Sequence, residues 1–289
     1  ADKKDLKLLF HDRKLTYLNN TVAKVHVSSD GIQLSPITLA QAGQAGAQTK
    51  KLTLCGGMSS DGDLNLEATG VIGLNLIRPI AGISDAFSQI SGQLAIDTLT
   101  GPSNTSNRCL PLSATRVFRV VGPASAPVLT GRLKVLGQRK KTRGPRRAGG
   151  LTLMPRGMGR VFNIDAGSVL DFRPIGSKGR QAIILPNDPA CKTGVSGLLG
   201  CFSGTLEDGS FRMFGRVELN RMALDSIDLK IVGADLYHSS SGEFNLTFNP
   251  DLRLLVSKFA DSEKRKLELT GALEITDGTY YKSFDQIAK

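Results

Sequence analysis

Between Arg265 and Tyr281 the chain alternates: Leu267, Leu269, Leu273 and Ile275 are apolar, while Lys266, Glu268, Thr270, Glu274 and Thr276 are polar. A period of two marks a strand with one apolar face and one polar face. Gly271 interrupts the apolar row as a bulge or bend would. Asp277-Gly278 predicts a tight turn after it. The same opening recurs at Thr69-Gly70-Val71-Ile72, Ser91-Gly92-Gln93-Leu94-Ala95-Ile96, Thr130-Gly131-Arg132-Leu133-Lys134-Val135, Ser203-Gly204-Thr205-Leu206 and Phe214-Gly215-Arg216-Val217-Glu218-Leu219. The spacing between copies is irregular, so this is a recurring strand start and not a fixed-period solenoid.

The rest of the chain reads the same way. Val25–Val27 and Ile32–Leu34 flank Asp30-Gly31; Leu52, Leu54, Leu64 and Leu66 alternate around Gly56-Gly57 and Asp61-Gly62. Phe118–Val120, Phe162–Asp165, Val169–Phe172, Ile183–Leu185, Ile227–Ile231, Phe244–Phe248 and Leu252–Val256 continue it, with Asn249-Pro250 predicting a break between the last two. Turn signals about every 8–14 residues imply roughly twenty strands, an all-β chain. The exception is 76–90, where Ile80, Ile83, Phe87 and Ile90 fall at helical spacing behind Pro79 and predict one short helix.

Twenty strands at ~4.8 Å would span on the order of 95 Å. A sheet that wide must close, fold onto a second sheet or curl into a trough. The expectation is one continuous unit over 1–289, less regular over 1–119, cleaner over 120–289, with a basic loop at 137–150.

Composition narrows the chemistry. The net charge is +11, and Arg139, Lys140, Lys141, Arg143, Arg146 and Arg147 carry six of those charges. That run holds Gly and Pro but no aromatic, so it offers no stacking platform for bases, and nucleic acid is not expected as a partner. It reads as a solvated loop, or as a contact for lipid headgroups or an acidic protein. No apolar run reaches the ~18–20 residues of a membrane helix and no signal-peptide pattern is present, so any anchor is expected outside this chain.

Cys55, Cys109, Cys191 and Cys201 include no C-x-x-C pair. Cys191–Cys201 brackets a glycine-rich loop and leaves Cys55–Cys109 as the second pair; four free thiols are the alternative. His11, His26 and His238 have no partners at ligand spacing, so no metal site is expected. His238-Ser239-Ser240-Ser241 lacks a nucleophile elbow. Asp61-Gly62-Asp63-Leu64-Asn65 starts like a calcium loop but lacks its glycine and closing glutamate. No phosphate-binding fingerprint occurs. With no Trp and 4 Tyr the chain is poorly furnished for a sugar-cleaving cleft. The expectation is a protein without a catalytic residue.

Gly242–Leu252, Leu269–Tyr281 and Pro127–Leu133 carry a pattern that resembles the TamB family of the bacterial envelope, within the AsmA-like, repeating-β-groove lipid-transfer proteins. The resemblance covers about 120–289. It implies an elongated, strongly curved sheet forming a U-shaped hydrophobic groove in the periplasm of a Gram-negative cell. Such a groove conducts phospholipids between inner and outer membranes and supports outer-membrane protein assembly. It needs no cofactor beyond bound phospholipid or detergent. The family's inner-membrane helix, and its contact with an outer-membrane β-barrel assembly partner of TamA or BamA type, would lie in parts outside this segment. The cysteines and the basic loop do not belong to the family pattern. The groove-lining candidates are Leu94, Ile96, Leu133, Val135, Phe162, Ile164, Val217, Leu219, Leu229, Ile231, Phe244, Leu246, Phe248, Leu252, Leu254, Val256, Leu267, Leu269, Leu273 and Ile275. An acyl chain of ~16 methylenes costs about 13 kcal/mol to expose to water, which such a face would relieve. A structural β-sandwich or solenoid with dry apolar faces is the competing reading, and an all-β glycan lyase or hydrolase the third.

Overall fold

Strand follows strand through the computed structural model, which describes residues 17–19, 24–41, 51–74, 87–97, 109, 117–137, 149–156, 160–176, 179–187, 201–240, 244–258 and 265–281. The strands are β1 (Tyr17–Asn19), β2 (Val25–Ser28), β3 (Gly31–Gln41), β4 (Lys51–Ser59), β5 (Asp63–Gly73), β6 (Phe87–Ser91), β7 (Gln93–Ile96), β8 (Phe118–Pro123), β9 (Val128–Val135) and β10 (Gly149–Pro155). Then come β11 (Phe162–Asp165), β12 (Val169–Pro174), β13 (Arg180–Leu185), β14 (Phe202–Leu206), β15 (Gly209–Asn220), β16 (Ala223–Ala234), β17 (Leu236–Ser240), β18 (Phe244–Lys258) and β19 (Arg265–Tyr280). All belong to one sheet, and every pairing in it is antiparallel.

The connectivity is simpler than nineteen strands suggest. β7 and β8 lie end to end, because both pair with β5 on one side and β9 on the other. β13 and β14 share β15, β16 and β17 share β18, and β1 and β2 share β3 in the same manner. β9 and β10 divide the β6–β8 line between them, and β11 and β12 divide the β9–β10 line. The described strands therefore form twelve long rungs, β1/β2, β3, β4, β5, β6/β7/β8, β9/β10, β11/β12, β13/β14, β15, β16/β17, β18 and β19, each hydrogen-bonded to the rung before it in sequence. Such a meander is the antiparallel arrangement that tight turns alone can connect. Long insertions fall inside rungs at 98–116, between β7 and β8, at 136–148, between β9 and β10, and at 186–201, between β13 and β14; another, 74–86, joins β5 to β6.

Local chemistry explains the breaks. Pro250 stands in β18, although Asn249-Pro250 reads as a turn in the sequence. Proline cannot donate to a ladder. Opposite it the neighbouring rung changes from β16 to β17, Asp251 pairing with Val232 and Phe248 with Leu236. At that break Asp235 donates its N–H to Asn249 Oδ1 at 2.8 Å. Asp277-Gly278 is also not a turn: β19 runs through it, with Asp277 paired to Thr247 and Gly278 to Leu246, and the register shift between Thr247 and Phe248 leaves Thr276, just before it, as a bulge. The helix expected over 76–90 is contradicted where the structure describes it. Phe87–Ser91 is strand β6, because β10 presents a free ladder edge to which Phe87, Gln89, Ile90 and Ser91 pair; 75–86 lies outside the described residues. Within 1–119, β3, β4 and β5 are themselves long strands of 11, 9 and 11 residues. Gly149 and Gly150, assigned to the basic loop, open β10.

The core lies on one side of the sheet. Leu52, Leu94, Ile96, Phe118, Leu133, Val135, Leu151, Ile164, Leu185, Phe202, Phe211, Leu229 and Leu236 are buried there in one cluster. The recurring glycines sit within this surface. Gly131 lies opposite Phe172, and the rings of Phe118 and Phe172 from the two flanking rungs meet edge to face with centroids 5.3 Å apart. Gly204 leaves room for Phe211, whose ring edge would stand 2.8 Å from a Cβ there. Phe211 in turn meets Phe162 edge to face at 5.7 Å. Gly56, Gly70, Gly92, Gly131, Gly215 and Gly271 all have φ between 107° and 139°, in six different rungs. That backbone is open to glycine and bends a strand.

On the opposite side Cys55 and Cys109 are joined in a disulfide, Cα–Cα 5.8 Å, across 54 positions of sequence. Cys201 is also disulfide-bonded, and Cys191 lies outside the described residues. Closing so long a loop restricts the unfolded chain. A Cys55→Ser/Cys109→Ser variant is expected to lose about 2–4 kcal/mol of stability in urea denaturation.

Candidate functional site: a continuous apolar face

Register decides which side chains share a face, since paired residues point the same way. In β18, Phe244, Leu246, Phe248, Pro250, Leu252, Leu254 and Val256 stand on one side. Their partners in β19 are Tyr280, Gly278, Ile275, Leu273, Gly271, Leu269 and Leu267. In β16 the partners of Leu252, Leu254 and Val256 are Ile231, Leu229 and Ile227, and next in β15 come Met213, Gly215 and Val217. The row passes through Ile183 and Leu185 to Phe172, Leu170 and Leu133, then through Leu94 and Ile96 to Ile72. Through Gly70 and Leu52, and Leu64 and Met58, it reaches Ile32 and Val27. One largely apolar face thus runs from β2 to β19.

All twenty lining candidates stand on this face. They differ in exposure. Leu94, Ile96, Leu133, Val135, Ile164 and Leu229 are buried, Val135 to 1 % exposed. Phe162, Val217, Leu219, Ile231, Phe244, Leu246, Phe248, Leu252, Leu254 and Val256 are half-buried. Leu267, Leu269, Leu273 and Ile275 on β19 are exposed, at 70 %, 60 %, 51 % and 57 %. At the other end Val25, Val27, Ile32 and Met58 are exposed as well. The face is packed in its middle rungs and open at both outermost ones. Sequence reasoning missed Leu52, Phe118, Leu151, Leu185, Phe202, Phe211 and Leu236 as members of it; the same alternation marked them, but their runs are short. It also missed Gln181, fully buried on this face, whose Oε1 accepts the Leu129 N–H at 2.6 Å.

The reverse face is charged, and many of its described ions are paired. Glu67 accepts from Arg119 Nε at 3.0 Å; Asp171 accepts from Arg132 and Arg173; Glu218 from Arg180 and Arg216. Arg253 donates Nε and Nη2 to the two oxygens of Asp228, both at 2.9 Å. Those hydrogen bonds foremost, then the positive charges of Arg253 and Arg216, hold the Asp228 carboxyl below the usual carboxylate range, against an opposing effect of burial. A carboxyl lowered in the folded state stabilises above its ordinary range and loses that contribution as pH falls through the lowered value. The melting-temperature gap between wild type and Arg253→Met is therefore expected near pH 7 and to close as pH falls below the ordinary carboxylate range.

The other sequence candidates are scattered. His26 is exposed on β2, His238 lies on the apolar face of β17 with its ring 5.8 Å from Phe244, and His11 lies outside the described residues. Asp61 and Gly62 form the β4–β5 turn, Gly62 N–H donating to Ser59 O at 2.9 Å. The basic residues Arg139, Lys140, Lys141, Arg143, Arg146 and Arg147 lie outside the described residues. Among the described residues no helix is long and apolar enough to cross a membrane. Compared with known proteins, the chain matches no family model, no curated protein and no solved structure.

Proposed function

We propose that the inner face holds the hydrocarbon chains of phospholipids, as a stretch of a periplasmic conduit between inner and outer membrane of the kind the TamB-like motifs suggest. The observation that carries this reading is the one apolar face shared by all rungs from β2 to β19, with four aliphatic side chains of β19 more than half exposed on it. Single exposed apolar residues are ordinary; a contiguous row in register marks a surface that meets lipid or protein. In this reading the buried middle secures the fold, and β15 to β19 present the hydrocarbon path. Headgroups stay wet at the rim, and no residue needs to perform covalent chemistry. The link to outer-membrane protein assembly, through a β-barrel partner contacting other parts of a longer protein, rests on the resemblance alone.

The burial of Leu94, Ile96, Leu133, Val135, Ile164 and Leu229 favours a second reading, a structural β domain with a dry core. Leu273→Arg separates the two. A charge set in hydrocarbon costs roughly 2.5–3.5 kcal/mol, so vesicle-to-vesicle transfer of a labelled phospholipid is expected to fall about tenfold or more. The melting temperature should hold, because Leu273 is 51 % exposed. Loss of the fold, or transfer indifferent to the substitution, would favour the dry core.

A further inference from the structure

Three metal-ligating side chains converge on the outer face of β4 and β5. The Sγ atoms of Cys55 and Cys109 and a carboxylate oxygen of Glu67 all lie within 4.8 Å of one another. Cys55 is 1 % and Glu67 2 % exposed, and Cys55 and Val117 form a small buried cluster with Cys109 packed against it. Glu67 is held in place from two sides. Its Oε1 accepts from Arg119 Nε at 3.0 Å, and its Oε2 accepts the Cys109 backbone N–H at 3.3 Å. The same Oε2 stands 3.7 Å from Cys109 Sγ. A disulfide sulfur has no proton to give that oxygen. A thiol has one, and a thiolate beside it completes a pair of anionic ligands for a cation. Cys109 also borders an open depression of about 530 Å³ whose lining includes Gly56, Gly57 and Asn65. Cys109, half-buried, is the member of the cluster that meets this depression.

We propose that Cys55, Cys109 and Glu67 form a redox-gated site for a zinc-class divalent cation. Closed, the pair is a covalent staple. A dithiol opens it: its two sulfurs form a new disulfide, two electrons pass to the Cys55–Cys109 bond, and each freed sulfur takes a proton. Binding of the cation then displaces both protons, leaving two thiolates and one carboxylate as ligands, with water from the depression in the fourth position. Three anionic ligands against a divalent ion leave one negative charge, which the Arg119 guanidinium 3.0 Å from Glu67 balances. Oxidised sulfurs carry no charge for a cation, so the bridge and the metal exclude one another. Either way Cys109 stays tied to β4. The site is independent of what the apolar face carries.

The test uses the full chain reduced with a phosphine, then titrated with cobalt(II) as a coloured stand-in and competed with zinc. Reduced wild type is expected to develop a thiolate-to-cobalt charge-transfer band that zinc abolishes, and air-oxidised wild type to show none. Cys55→Ser should weaken binding by about 100-fold or more and Glu67→Gln by about 10–100-fold, with Cys201→Ser unchanged. Zinc should raise the melting temperature of reduced wild type and leave that of Cys55→Ser where it was. A reduced wild type without the band, or a band that survives Cys55→Ser, overturns the proposal. Circular dichroism of each variant identifies one that has failed to fold, and the comparison of oxidised with reduced wild type needs no substitution at all.

Discussion

Gly215→Val is expected to cost on the order of 3 kcal/mol or more and to leave little folded protein, because two independent penalties fall on one residue. Its φ is +132°, a region closed to a β-branched side chain. A Cβ built there would lie 2.1 Å from the Asp228 carbonyl oxygen, a backbone atom of the next rung. β16 cannot move aside to make room, since β18 holds its other edge. Gly271 supplies the control. Its φ is +130° and its Cβ would meet Asp251 O at the same 2.1 Å, but β19 pairs only with β18 among the described strands. There the rung can lift away. Gly271→Val is expected to lower global stability less and to show its effect as faster amide exchange confined to β19. Equal losses at the two positions would mean that the glycines do not act through the rung behind them.

Phe211→Ala should be the most damaging truncation of the inner face, at about 3–5 kcal/mol in equilibrium denaturation. The ring is 5 % exposed and fills the space above Gly204. Alanine leaves that space empty, since the glycine beneath has no side chain to relax into it. The edge-to-face contact with Phe162 adds roughly 0.5–1.5 kcal/mol. Leu269→Ala, 60 % exposed on the same face, is expected to change stability by less than about 0.5 kcal/mol. The contrast measures how far the face is packed at each place.

Alternation made most of this legible. The period of two placed Leu246, Leu273 and Val217 on one side before any pairing was known, because side-chain direction in a strand is local. The recurring glycines were legible as backbone punctuation; that they bend rungs and seat Phe172 and Phe211 was not, since those partners come from other rungs. Pairing across insertions was hidden too. Nothing local says that Ile96 and Phe118 belong to one rung when 98–116 separates them. Two turn signals misled for the same reason. Asn249-Pro250 and Asp277-Gly278 have turn chemistry, but each sits where the neighbouring rung breaks or shifts register and can absorb the missing hydrogen bond or the extra residue. The run at 76–90 fits a helix by spacing, yet its end satisfies the edge of β10. The Cys55, Glu67 and Cys109 cluster could not be read from spacing, because Cys55 on β4, Glu67 on β5 and Cys109 come together only in the fold. Burial was the least legible quantity: Val135 and Leu267 carry the same pattern, and only the number of rungs around each separates 1 % from 70 % exposure.

Photocrosslinking by residue parity tests the central claim most directly. A benzophenone side chain is placed singly at Leu246 and Leu267 on the inner face and at Thr247 and Lys266 on the outer face, and the chain is irradiated with labelled phospholipid. The account predicts lipid adducts at 246 and 267 and none at 247 and 266, alternating with the strand. Adducts at both parities, or at neither, would contradict it.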